Sequence, residues 1–213
     1  MNTFGTAAIL SGGRSTRMGF DKQLLTIDEK YIFENNIKQL KTEFDDILII
    51  TNTPELYEGV PGIRTYSDIY PGMGPLAGLH AALSRSESQY VYMVACDMPV
   101  MNMEFAAFMK EQTLRFGTDV CASDADGHFE SFNAFYSVNM LPALEETLSS
   151  CYSEGRHTPG VYGFISMNDI SSTVIDEHTV RVIDPELSMF INLNTPEEYN
   201  AYKKKIAANG KSL

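Results

Sequence analysis

The sequence predicts an α/β fold, a mainly parallel sheet flanked by helices. Two observations carry that expectation. Short apolar runs alternate with stretches of helical periodicity along most of the chain, the signature of strand–helix–strand units. Several of those runs stop abruptly in Gly, Asn or Asp loops. With 213 residues the chain is long enough to bury a sizeable core. It has no internal repeat, no low-complexity tract and no Gly/Ser/Pro-rich linker, so one domain over residues 1–213 is expected.

The elements follow in order. Thr6 to Leu10 reads as a buried strand and breaks into Gly12-Gly13; Leu24 to Ile27 continues out of that loop. Phe33, Ile37, Leu40 and Phe44 recur at helical spacing and predict a helix from about Tyr31 to Glu43. Ile47 to Ile50 is a buried strand and Ile63 to Tyr66 a weaker one. A helix should begin near Pro75, where proline suits the first turn. Gln89 to Ala95 is the clearest central strand. Asn102 to Phe116 predicts an amphipathic helix closed by Gly117, followed by a strand over Asp119 to Ser123. Phe132 to Tyr136 is a strand of mixed pairing, Val138 to Ser149 a helix, and Thr158 to Met167 a shorter helix. Thr173 to Ile175 and Val180 to Ile183 are expected to pair as a β-ribbon. Thr195-Pro196-Glu197-Glu198 is a capping box opening a last helix with Tyr199, Tyr202 and Ile206.

Composition narrows the function classes. The net charge of −12 argues against nucleic acid or an anionic membrane as partner. No apolar run approaches the ~20 residues needed to span a bilayer. No secretory signal is visible, and three scattered cysteines suit a reducing compartment, so a cytoplasmic location is expected. The histidines, His80, His128, His157 and His178, have no ligand spacing, and the Glu145-Glu146 pair reads as a solvated face.

Against that acidic background the first loop stands out. Arg14, Arg17 and Lys22 follow directly on Gly12-Gly13. Glycine lets a polyanion approach the backbone, and cations add charge-assisted hydrogen bonds to phosphate oxygens. The stretch is either a phosphate-binding loop or a glycine turn with solvated cations. It is neither a Walker A motif nor G-x-G-x-x-G. Asp97 ends the central strand, where an open α/β sheet binds ligands. It is placed either to hold a Mg²⁺ or to cap the turn before Met98-Pro99. Asp68 ends another strand and is either a nucleoside reader or a turn residue.

Leu10-x-Gly12-Gly13-x-x-x-Arg17-Met18-Gly19-x-Asp21-Lys22 resembles the signature loop of the MobA-like nucleotidyltransferases, and within them of the molybdenum cofactor guanylyltransferases. Asp68-x-x-x-x-x-Gly74-Pro75-Leu76-Ala77-Gly78, Cys96-Asp97-x-Pro99 and Asn192-x-Asn194-Thr195-Pro196-Glu197 match further motifs, and the likeness runs from about residue 7 to about residue 200. It implies a Rossmann-like, nucleotide-diphospho-sugar transferase-like fold and transfer of GMP from GTP to molybdopterin or Mo-molybdopterin. It implies Mg²⁺ at Asp97, and Arg17, Lys22 and Asp97 as catalytic residues. The nucleotide would meet Leu10, Ser11, Gly12, Gly13, Lys22, Asn52, Asp68 and Asp97, while Asn192 and Asn194 would face phosphates, metal or cofactor. Arg156-His157 lies where the pterin phosphate could be served, and molybdoenzyme maturation proteins are candidate partners. The chain departs from the pattern at Ser11, usually alanine, at the single Phe20 between Gly19 and Asp21, and at Glu130-Ser131, where a proline is usual. Alternatives are a cytidylyl or sugar-phosphate sibling, or a non-catalytic nucleotide or cofactor carrier. Gly12-Gly13 and the Gly74 to Gly78 motif favour guanine; Lys22 and Asp97 argue against the carrier.

Overall fold

The computed structural model describes residues 2–12, 22–27 and 29–209. β1 (Thr6–Leu10) is apolar on both faces, with Ala7, Ala8 and Ile9 fully buried, as a parallel strand covered by helices must be. Beyond it, β2 (Thr26–Ile27) and β3 (Lys30–Tyr31) form a small antiparallel pair leading into α1 (Ile32–Leu40). β4 (Asp46–Ile50), β5 (Arg64–Tyr66), α2 (Pro75–Arg85), β6 (Tyr90–Ala95) and α3 (Met103–Phe116) follow. β7 (Val120–Ala125) and β8 (His128–Ser137) form a hairpin; α4 (Leu141–Glu154), α5 (Val161–Met167), β9 (Ser172–Ile175), α6 (Glu177–Ile183) and α7 (Pro196–Asn209) complete the described chain.

Seven strands form one sheet in the order β5-β4-β1-β6-β8-β7-β9. β1 pairs in parallel with β4 on one side and β6 on the other, and β4 with β5. β8 runs antiparallel to both β6 and β7. Successive side chains then sort to opposite faces. Ala7, Ile9, Ile47, Ile49, Tyr92 and Val94 meet α1, α3 and α6. Ala8, Leu48, Val91 and Met93 meet α2, α4 and α5. A third cluster seats α7 on β2: Leu25, Ile27 and Leu193 pack with Tyr199, Tyr202 and Ile206.

Local signals act as the sequence implies. Asn102 accepts from the Phe105 N–H, and Gly117 closes α3 in the left-handed region. Thr195 and Glu198 exchange the two capping-box hydrogen bonds, at 3.2 and 3.0 Å. The expected ribbon does not form. Ser172–Ile175 pairs in parallel with β7, and residues 177–183 are helical. Asp176 caps that helix through the N–H and hydroxyl of Thr179, and Glu177 and Arg181 pair one turn apart at 2.7 Å. These local bonds outweigh the short apolar alternation, and Val180 still reaches the core. The β8 strand is also longer than Phe132 to Tyr136, because Asp126 (φ 48°) and Gly127 (φ 74°) make a two-residue hairpin turn.

Among the described residues no helix is long and apolar enough to cross a membrane. The three cysteines are buried.

α2 lies close under the end of β1. A Cβ on Gly78 would stand 2.7 Å from Leu10 Cδ2 and 2.9 Å from its Cγ. Gly78→Ala should therefore cost about 1 kcal/mol of unfolding free energy, and shortening Leu10 to alanine in the same chain should recover part of it. Paired denaturant titrations measure both; equal additivity of the two changes would disprove the contact.

Candidate active site

The four parallel strands β5, β4, β1 and β6 end at one edge, and a residue singled out in the sequence follows each end. Asp68 follows β5, Asn52 follows β4, Ser11 and Gly12 follow β1, and Asp97 follows β6. Three inter-strand steps span about 14 Å, which matches the length of an extended nucleotide. Backbone bonds carry the sheet slightly past its ends: Ser11 N donates to Ile50 O, Thr51 N to Tyr66 O and Cys96 N to Leu10 O.

At the β6 end three distant segments converge. Lys22 opens a short 3-10 turn and donates to Asp97 Oδ2 at 2.6 Å and to Asn194 Oδ1 at 2.5 Å. Asp97 is buried, at 7 % exposure, so its carboxylate requires a cation or donor. Its own carbonyl accepts from Leu193 N at 3.0 Å, which pins the segment carrying Asn194. Glu198 takes the N–H groups of Asn194 and Thr195.

Two side chains that the sequence reading passed over hold this end. Asn36 of α1 is fully buried and donates to Met98 O at 2.9 Å, fixing the turn after Asp97. Its signal was a polar residue within the apolar stripe of Ile32, Phe33, Ile37 and Leu40. Asn133, buried at φ 52° in β8, donates to Met189 O at 2.7 Å and accepts from Tyr92. With Asp184, which accepts from Met189 N, it steadies residues 184–194.

At the opposite end Asn52 donates to Asp68 Oδ2 at a long 3.4 Å. Burial pushes the Asp68 carboxyl up from its ordinary value, and the Asn52 bond offsets only part of that.

Between the ends, Gly12 is exposed, and a Cβ there would meet none of the described residues within 4 Å. Leu10 is half-buried against Gly78. Ser11 is buried, its N–H is taken by Ile50 O, and its hydroxyl lies in a knot with Gln23 and Tyr57, so it offers neither group to the cleft. Thr51 and Thr53 also donate to Gln23 Oε1. Gly13, Arg14 and Arg17 lie outside the described residues. Asn192 is half-buried and donates to Phe190 O at 3.4 Å. Beyond it a cavity of about 320 Å³ is lined by His128, Glu130, Arg181, Leu187 and Phe190. Arg156 pairs with Glu154 on the surface after α4.

Among the described residues no group of three or more His, Cys, Asp or Glu could hold a metal alone. The Asp97 carboxylate and the Asn194 carbonyl oxygen, both on the Lys22 ammonium, are hard oxygen donors. That set fits a divalent ion that draws its other ligands from phosphate and water.

Comparison with known proteins agrees with this geometry. A profile of the MobA-like NTP transferase domain matches residues 7–158. A molybdenum cofactor guanylyltransferase of Syntrophotalea carbinolica is 36% identical, over 95% of this chain and 92% of its own. A relative from Peptoclostridium acidaminophilum named "Probable molybdenum cofactor guanylyltransferase" is 39% identical, over 94% and 89%. The crystal structure of molybdopterin-guanine dinucleotide biosynthesis protein A from Archaeoglobus fulgidus superposes with a TM-score of 0.77 at 20% identity, covering 95% of this chain and 99% of that one. The family match and the relatives define a nucleotidyltransferase. Within that class, the chain belongs to the MobA-like NTP transferase family. Nucleotidyltransferases of this kind typically use a divalent metal.

Two measurements probe the site directly. Gly12→Ala should leave unfolding free energy within about 0.5 kcal/mol of wild type but weaken inorganic triphosphate binding about tenfold or more, because the new methyl occupies the approach. Asp68→Asn tests burial. A raised carboxyl means that the folded state holds the proton more tightly than the unfolded chain. Stability is therefore lost as pH rises through the folded value, and the cost is fully present at pH 7. Asp68→Asn should then raise the unfolding midpoint at pH 7 by about 1–2 °C, solvent screening keeping the gain small. The gain should shrink toward pH 4; a loss of stability at pH 7 would reverse the reading.

Proposed function

We propose that this chain is a molybdenum cofactor guanylyltransferase, acting as one domain in the cytoplasm. It would transfer GMP from GTP to molybdopterin or Mo-molybdopterin, with release of pyrophosphate. The observation that carries the reading is the order of groups along the sheet edge: a carboxylate at β5, an open glycine at β1, a cation and oxygen donors at β6. The names of the curated relatives point to the same reaction.

Each group then has a task. Asp68 accepts from the guanine N1–H and 2-amino groups, which adenine and the pyrimidines do not present together. Gly12 leaves room for the triphosphate over the end of β1. Lys22 neutralises charge on the phosphates and leaving pyrophosphate. Asp97 and Asn194 would hold Mg²⁺, which when bound neutralises phosphate charge. The acceptor is a phosphate monoester, with a second pKa of about 6, and is ionised near neutral pH without a general base. Catalysis then consists of in-line positioning and charge neutralisation. Asn192 follows Ile191, which lines the 320 Å³ cavity, and would face the acceptor's phosphate.

Calorimetry with Mg²⁺ should show GTP binding about tenfold or more tighter than ATP, CTP or UTP. Asp97→Ala should weaken that binding and lower guanylyl transfer by about 100-fold or more. A preference for another nucleotide would assign a sibling activity. Undiminished transfer by Asp97→Ala would remove Asp97 from the mechanism.

A further inference from the structure

Behind the nucleoside end lies a side-chain cluster that the reaction above does not use. Tyr70 opens a turn two residues after Asp68. Met73 N donates to Tyr70 O at 3.2 Å, with Pro71 and Gly72 (φ 82°) at the central positions, which is type II geometry. A Cβ on Gly72 or Gly74 would meet none of the described residues within 4 Å. Other residues hold the turn. The Tyr70 hydroxyl donates to the Glu145 carboxylate of α4, whose other oxygen accepts from His80 Nε2 of α2 at 2.6 Å. The Tyr70 ring lies edge-on to His80 and Tyr152, at 5.5 and 5.7 Å between centroids. Thr158 donates to Met73 O at 2.8 Å.

Glu145 is not a simple solvated residue, as its sequence context suggests. It stands on the exposed side of α4 yet binds donors from two other segments. His80 is buried, at 4 % exposure, and its Nδ1 has no hydrogen-bond partner among the described residues. The bond to Glu145 is thus what orients the ring. Donation to a carboxylate also raises the Tyr70 phenol above its ordinary value, keeping its proton in place.

We propose that Tyr70 and Glu145 are positioning residues for base recognition: Glu145, aligned by His80, fixes the Tyr70 turn and so sets where Asp68 meets the purine edge. The inference rests on the guanylyl-transfer reading. Its physical need is plain. The 3.4 Å bond from Asn52 is too long to fix Asp68 alone, and a paired carboxylate–base contact loses discrimination when displaced by an ångström.

Tyr70→Phe removes one hydroxyl and keeps the ring contacts. Calorimetry with Mg²⁺ should show GTP affinity reduced about fivefold, ATP affinity unchanged, and the unfolding midpoint close to wild type. Glu145→Ala should give the same fall in the GTP/ATP ratio, and the two changes together no more than either. In an Asp68→Ala background, or Asp68→Asn if that variant does not fold, Tyr70→Phe should change nothing further. A purely structural role would not produce that dependence. An unchanged GTP/ATP ratio in Tyr70→Phe, or an equal fall without Asp68, overturns the proposal while leaving guanylyl transfer intact. A wild-type protein with no preference for GTP overturns both.

Discussion

The pairing of β1 with a parallel strand on each side is the constraint from which the site follows. Parallel neighbours cannot be joined by tight turns, so each return needs a crossover, which is α1 between β1 and β4 and a loop with one short 3-10 turn between β4 and β5. The crossovers bury both faces of β1, β4 and β6, and they bring the carboxyl ends of β5, β4, β1 and β6 to one edge. Glycine at the end of β1 and carboxylates after β5 and β6 therefore stand in a row. The row is a product of topology before it is a product of any contact between the groups themselves.

The two carboxylates in that row are kept in opposite electrostatic conditions. Asp97 is the more buried, and the Lys22 ammonium lies directly on it. Asp68 is half-buried and pushed toward its protonated form, with an amide as a weak counterweight. The cation end is also braced from outside. Asn36 holds the turn after Asp97, and Asn133 and Asp184 hold the segment leading to Asn194. The chain's net charge of −12 makes one well-placed ammonium matter more than it would in a basic protein.

Much of this was legible in the sequence because the signals were local. The buried runs of β1, β4 and β6, the Asn102 and Gly117 ends of α3 and the Thr195–Glu198 box are each decided within a few residues. So is the Gly74-to-Gly78 entry to α2, though the structure adds the reason for Gly78, which is the Leu10 side chain above it. The errors arose where two local signals competed or where the partner was remote. In the 173–183 stretch the Asp176 cap and the Glu177–Arg181 pair prevailed over β-like alternation. The Asp126-Gly127 hairpin signal was present and unread. Glu145 looked solvated because Tyr70 and His80 are far from it in sequence. The knot of Ser11 with Gln23 and Tyr57 was likewise out of sight, because it joins residues 12 and 46 positions away.

The contact from Lys22 to Asn194 joins residues 172 positions apart. All strands of the main sheet are complete by Ile175, well before the ribosome adds Asn194. A chain that ends before Asn194 thus carries every strand of its main sheet while its charged cluster lacks one corner. A product stalled or clipped just short of that asparagine would retain a core without the finished centre. It would also lack α7, which covers Leu25, Ile27 and Ile32, so the same missing tail would leave apolar surface exposed and the charged cluster incomplete.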